Sequence, residues 1–205
     1  QILNKYFDNV NVFYIPFGVD QNFWIPDKKI NKNPFVLAIG NDQARDWDIL
    51  IDCWDENFPI LKIVTSIPIK NTKKNIEIIR GNWHSQLLTD LDMRDLYRNS
   101  EFLILTLKET IQPSGQSTCL QAMACSKAVV ISNIKGIWDR NLLKHRENIF
   151  FVKPYDKYDL HNAIIELINN RELRLKLEKN GRKLIKDHFN ILNMKNNLKK
   201  TFEEI

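Results

Sequence analysis

Seven short runs of this 205-residue chain, at 12–15, 35–39, 61–65, 76–79, 102–107, 128–132 and 149–152, have strand character, and most read as continuously apolar rather than alternating. A strand that is apolar throughout must be covered on both faces, as strands are inside a parallel sheet with helices on either side. Segments with a helical period, 46–55, 85–99, 117–124 and 158–169, fall between the runs or after the last of them. Strand and helix in alternation predict an α/β fold, a doubly wound, mostly parallel, Rossmann-like sheet. We expect one domain over 1–190, led by the run at 12–15, and a basic C-terminal helix over 191–205.

A chain of this length can bury a core without disulfides or a structural metal. With 43% hydrophobic and 27% charged residues it fits neither disordered nor fibrous classes. Cys53, Cys119 and Cys125 have no CxxC spacing and suit buried thiols in a reducing compartment. His84, His145, His161 and His188 are scattered without partners at ligand spacing, so no metal site is expected. The net charge of +5 comes wholly from residues 171–205, which hold ten Lys or Arg against five Asp or Glu. There Leu173, Leu175, Leu177, Leu184 and Ile185 recur at helical intervals, and Asn180-Gly181 marks an expected stop or loosening. Few aromatics interleave with these cations, so nucleic acid is not an expected partner. An anionic membrane surface is the sharper alternative to a merely solvated face, each cation near it contributing about 1 kcal/mol. No run approaches the roughly 20 residues needed to cross a bilayer. The chain opens on Gln without an export signal, so the expected location is the cytoplasm or the inner face of a membrane, and the expected whole is longer than this chain.

In doubly wound sheets ligands bind beyond the carboxyl ends of the strands, where helix N-termini present free amides. Neither GxGxxG nor GxxxxGKS is present, which weakens dehydrogenase and P-loop readings. After the run at 35–39 comes Gly40-Asn41-Asp42-Gln43-Ala44-Arg45-Asp46-Trp47, a glycine that lets a ligand approach and an arginine that can fork onto a phosphate. After the run at 102–107 comes Gln112-Pro113-Ser114-Gly115-Gln116-Ser117-Thr118-Cys119-Leu120-Gln121-Ala122-Met123-Ala124. Here Pro113, Ser114 and Gly115 predict a tight turn, and Ser117 or Thr118 the helix start, with Leu120, Met123 and Ala124 toward the sheet. Small hydroxyl residues at a helix start after a glycine suit a phosphate cradle, and ordinary capping explains Ser117 as well.

At these residues the chain resembles the donor-binding, C-terminal half of the retaining glycosyltransferases built from two facing Rossmann-like domains (the GT-B type), the group 1 glycosyl transferases. The resemblance runs from Ile15-Pro16-Phe17-Gly18-Val19-Asp20 and Phe23, through Gly40, Arg45 and Asp95-Leu96-Tyr97, to Gln121-Ala122-Met123-Ala124 with Lys127-Ala128-Val129-Val130. It continues at Gly136, Asp139, Asn148, Asp159-Leu160, Ala163-Ile164, Leu173-Arg174 and Phe189. It implies that Arg45 and the start of the Ser117 helix hold the diphosphate of a nucleotide sugar, with Gly40, Asn41, Gly115, Gln116, Ser117, Thr118 and Gln121 around the ligand. Gln121 stands where the family usually has a glutamate on the nucleotide ribose, and Pro113 where another glutamate often contacts the sugar. Glu109 is the nearest carboxylate that would replace the latter.

The implied chemistry is glycosyl transfer without a cofactor or metal, the leaving diphosphate being stabilised by Arg45 and the amides at Ser117 and Thr118. The acceptor site would lie in a preceding N-terminal domain, leaving this half inactive by itself. A sugar-nucleotide epimerase of the same architecture and a degenerate, non-catalytic binding module are the alternatives. Trp83 and Trp138 are candidates to floor the base or sugar, against core packing as the simpler role. The last helix carries an apolar stripe, Ile191, Leu192, Leu198 and Phe202, and is expected to be ordered on this domain through Phe189 and Leu192.

Overall fold

A computed structural model of the chain describes residues 13–27, 33–80 and 88–203. Strands β1 (Phe35–Ile39), β2 (Leu61–Val64), β3 (Ile76–Ile79), β4 (Ser100–Leu105), β5 (Ala128–Ser132) and β6 (Phe150–Val152) form one sheet in the order β3-β2-β1-β4-β5-β6. Every pairing is parallel, with Val36 beside Leu61, Leu61 beside Ile76, Phe102 beside Ala128 and Val130 beside Phe150. The order reverses between β1 and β4, and a crevice opens there at the strand ends.

Alternate residues of each central strand enter two separate cores. Leu37, Ile39, Leu103, Leu105, Val129 and Ile131 pack with Tyr97 of α2 (Asp90–Asn99), with Cys119, Leu120 and Met123 of α3 (Gln116–Ala124), and with Leu184 and Ile185 of α5 (Arg171–Asp187). Val36, Ala38, Ile63, Phe102, Ile104 and Val130 pack on the other face against Leu50 and Trp54 of α1 (Trp47–Cys53) and its end, and against Leu160, Ile164 and Leu167 of α4 (Lys157–Asn169). Both faces being covered is why the central strands read as largely apolar runs. Each fully buried Leu or Ile contributes about 1.5–3 kcal/mol. Side-chain caps set the helix starts: Asp46 accepts from Ile49 N, Asp156 from Asp159 N and Asn170 from Leu173 N. In α2, Thr89 and Asp92 form a reciprocal capping box, so the described helix starts at Asp90, and 85–87 lie outside the described residues.

Three expectations are corrected. Residues 13–18 form no strand; only Val19 bridges to Asn190, and the segment from Gln21 to Ile25 is held by side chains. Arg182 donates to the carbonyls of Gln21, Trp24 and Ala124, and Arg98 to that of Ile25. Asn180-Gly181 does not stop α5, which runs through it; Gly181 is buried where the helix crosses α3, and a Cβ there would meet Met123 Cγ at 3.3 Å and the Asn148 carbonyl at 3.4 Å. Helix α6 (Ile191–Glu203) is formed and its start is tied down: Ile191 N–H donates to the Val19 carbonyl and Gly18 N–H to Met194 Sδ. Phe189 docks in the core, but Leu192 is exposed along with Ile191, Leu198 and Phe202.

The glycine's role in helix crossing is testable. Gly181→Leu should lower unfolding stability by about 1–3 kcal/mol by overpacking. Urea melts check this; an unchanged or raised midpoint would mean that α5 does not need the close approach.

Candidate functional site

The crevice is built by two loops that follow neighbouring strands. The loop after β1, residues 40–46, is stitched to the extension of β4: Asp46 N–H donates to the Thr106 carbonyl, Lys108 N–H to the Ala44 carbonyl, and the Thr106 hydroxyl to the Asp46 carbonyl at 2.8 Å. Arg45 therefore has a fixed backbone, and its side chain runs inward between two glycines. A Cβ on Gly40 would overlap Arg45 Nε, and one on Gly115 would lie 2.9 Å from Nη1. Gly115 also has φ +73°, a left-handed conformation that other residues adopt at a cost. Both glycines are thus needed for the arginine to lie where it does.

Arg45 is 5% exposed. Its Nη2 faces Asp42 Oδ2 at 3.3 Å, while Nε and Nη1 are buried without a partner. Burial draws the guanidinium down from its ordinary value, and Asp42 opposes this. A charge held this way costs free energy that one neighbouring carboxylate does not repay. Asp42 is itself shared: Oδ1 accepts from Ala44 N at 3.1 Å and from the Ser114 hydroxyl at 2.7 Å, joining the two loops.

Above the guanidinium, α3 begins one residue earlier than expected. Its cap is Gly115 rather than a hydroxyl residue, and no side chain caps it. Cys119 N–H is the first to bond back, to the Gly115 carbonyl, so the amides of Gln116, Ser117 and Thr118 precede the helical ladder. Free amides and a helix dipole at this end favour an anion.

Two cavities meet here. The larger, about 650 Å³, is lined by Gly40, Asn41, Arg45, Gly115, Ser117, Thr118 and Gln121 among the expected residues. Gln116 lines instead the smaller, about 440 Å³, with Pro113, Gln112 and Thr110. Asp42, Gly115 and Ser117 line both, so the cavities join at the start of α3. Asn41 is at the wall, but its Oδ1 accepts from Ser66 N at 2.5 Å and Ser66 Oγ at 2.9 Å, fastening the loop after β2. Glu109 lines neither cavity: its Oε1 accepts from Lys135 N at 2.7 Å, and its own N–H donates to Tyr155 Oη. Trp138 also lines neither, packing partly buried against the core, and Trp83 lies outside the described residues.

Sequence reasoning missed Asp42, Tyr97, Thr89, Asp90 and Met93 at the larger cavity. Asp42 had a signal, an acid three residues before the arginine in one turn. Among the described residues no group of three His, Cys, Asp or Glu side chains could hold a metal ion, and no helix is long and apolar enough to cross a membrane. Burial pushes the thiols up, Cys53 to about 11 and Cys125 to about 12.

The sequence and fold have known counterparts. The chain is 26% identical over 178 residues to a protein named uncharacterized glycosyltransferase MJ1178 from Methanocaldococcus jannaschii, covering 82% of this chain and 47% of that relative. The chain thus spans about half the length of that curated relative. In structure it resembles HepE of Anabaena, solved with UDP-glucose, at a TM-score of 0.72 and 15% identity, over 92% of this chain and 56% of HepE. It also resembles the C-terminal domain of a group 1 family glycosyl transferase, LpcC, from Francisella tularensis, at a TM-score of 0.66 and 16% identity, over 85% of this chain and 100% of that domain. These likenesses show the fold. The family description "glycosyl transferases group 1" matches residues 70–184, more than half of the chain, from β3 to the α5 leucines. The chain belongs to the group 1 glycosyl transferases.

Proposed function

We propose that the crevice binds the diphosphate of a nucleotide sugar and that the chain is the donor-binding half of a retaining glycosyltransferase. The observation that carries this reading is the Arg45 guanidinium, buried between Gly40 and Gly115 with Nε and Nη1 unpartnered, under a helix start that no side chain caps. A buried cation in that state is short of negative charge, and a diphosphate has both the charge and the oxygens for it. HepE, solved with UDP-glucose and also with UDP and glucose, lends support.

On this reading the diphosphate lies at Asp42, Gly115 and Ser117, where the two cavities join. The nucleoside takes the larger cavity, whose volume is in the range of small-molecule sites. The transferred sugar takes the smaller one, and with Glu109 engaged elsewhere its lining carboxylate is Asp42. As the bond between anomeric carbon and diphosphate breaks, charge grows on the leaving oxygens. Arg45 and the amides at Ser117 and Thr118 meet that charge, one fixed donor contributing about 3 kcal/mol. The reading draws this stabilisation from protein groups, with no metal or cofactor. The acceptor is bound by another part of the protein, so this chain binds donor without transferring sugar.

Calorimetric titration with UDP, GDP and ADP tests the proposal. Arg45→Met should weaken the tightest of them at least about tenfold, by losing charged hydrogen bonds, and Gln121→Ala about fivefold, by losing a neutral one. Arg45→Met should also melt no lower than the unmodified chain without ligand, because an underpaired buried charge is replaced by an apolar side chain. A reversed order of affinities would mean that the diphosphate lies elsewhere. No binding of any of the three by the unmodified chain would favour the non-catalytic module.

A further inference from the structure

One side chain on the wall of the larger cavity has its hydrogen-bonding sense fixed from behind. Gln121, on α3, lines the cavity, and its Oε1 accepts the Tyr97 hydroxyl at 3.1 Å. Tyr97 stands on α2 and is fully buried between the two helices. Burial pushes its phenol far above the ordinary range, so the oxygen keeps its proton. That proton needs an acceptor; it is directed at Gln121 Oε1, and the Thr118 hydroxyl also lies within hydrogen-bonding reach of the phenol. Turning the carboxamide over would set its N–H group against the phenol and leave the phenol proton only the Thr118 hydroxyl as acceptor. The tyrosine therefore favours the orientation with Oε1 toward it.

A carboxamide has one accepting and one donating end, on opposite branches of a planar group. With Oε1 turned to Tyr97, Nε2 is the end turned away from it. We infer that Tyr97 is a positioning residue that makes Gln121 a hydrogen-bond donor to the ligand, so that the ligand atom it meets is an acceptor. This rests on the donor-site reading above, in which that atom is an oxygen of the nucleoside's sugar, beyond the diphosphate. Arg45 and the leading amides of α3 are donors too, so this wall of the cavity takes the accepting atoms of its ligand.

A double-mutant cycle tests this, with two probes: the tightest-binding of UDP, GDP and ADP, and inorganic pyrophosphate, which lacks the nucleoside. Tyr97→Phe removes one hydroxyl and leaves ring and volume in place. It should weaken nucleoside diphosphate binding about fivefold, as should Gln121→Ala, the worth of one neutral hydrogen bond. In the Gln121→Ala background Tyr97→Phe should then cost less than about twofold, because the group it acts through is gone. Pyrophosphate affinity should stay within about twofold in all three variants, which also reports an intact fold. An unchanged nucleoside diphosphate affinity in Tyr97→Phe would overturn the inference, as would a loss undiminished in the Gln121→Ala background, or an equal loss for pyrophosphate. Failure of the unmodified chain to bind either probe would instead overturn the donor-site reading and this inference with it.

Discussion

The site depends on a single packing constraint, the passage of the Arg45 side chain between Gly40 and Gly115. Those two backbones belong to loops that follow β1 and β4, the strands between which the sheet order reverses. The arginine is thus placed by the topology itself: the loops are neighbours because the strands are, and neither glycine has a side chain to block the channel that Arg45 occupies. Asp42 completes the arrangement by bonding Ser114 across the loops while facing Nη2. The rest of the sheet, with cores on both faces, gives these loops a rigid base. Placing a poorly paired cation there costs stability, which functional sites often sacrifice to preorganised charge.

Much of this was legible in the residues. Strands that read as largely continuous apolar runs have few ways to be covered, so six of the seven expected runs were legible as strands of a doubly wound, mostly parallel sheet with helices between them. The loop Gly40 to Arg45 and the start of α3 were recognisable because glycine and small residues at strand ends have a steric meaning. Gly181 was misread because its helical penalty is visible locally, while the crossing of α3 that requires it is not. The run at 12–15 has strand composition, but residues 13–18 pair with no strand. Pairing depends on a neighbouring edge, which composition does not report.

The finer chemistry of the site was less legible, for a related reason. Glu109 is close in sequence to the cavity loop, yet the Lys135 amide takes its carboxylate, a contact between loops after different strands. Asn41 faces the site, yet its oxygen serves the Ser66 loop. Gln121 is a neutral amide whose polarity is set by a hydroxyl 24 positions earlier. In each case the decisive partner is distant in sequence, and one sequence names the side chain without naming what holds it.

The account stands or falls on whether Arg45 is the cation awaiting an anion. Solution NMR of the labelled chain, following the Arg45 Nε–H and the backbone amides of Ser117 and Thr118 during titration with UDP, GDP or ADP, measures this directly. The account predicts that at least one of these ligands moves all three resonances together, with one saturation curve, and that Arg45→Met moves the amide titrations to at least about tenfold higher ligand concentration. Saturable binding that left those three resonances in place while perturbing others would contradict it.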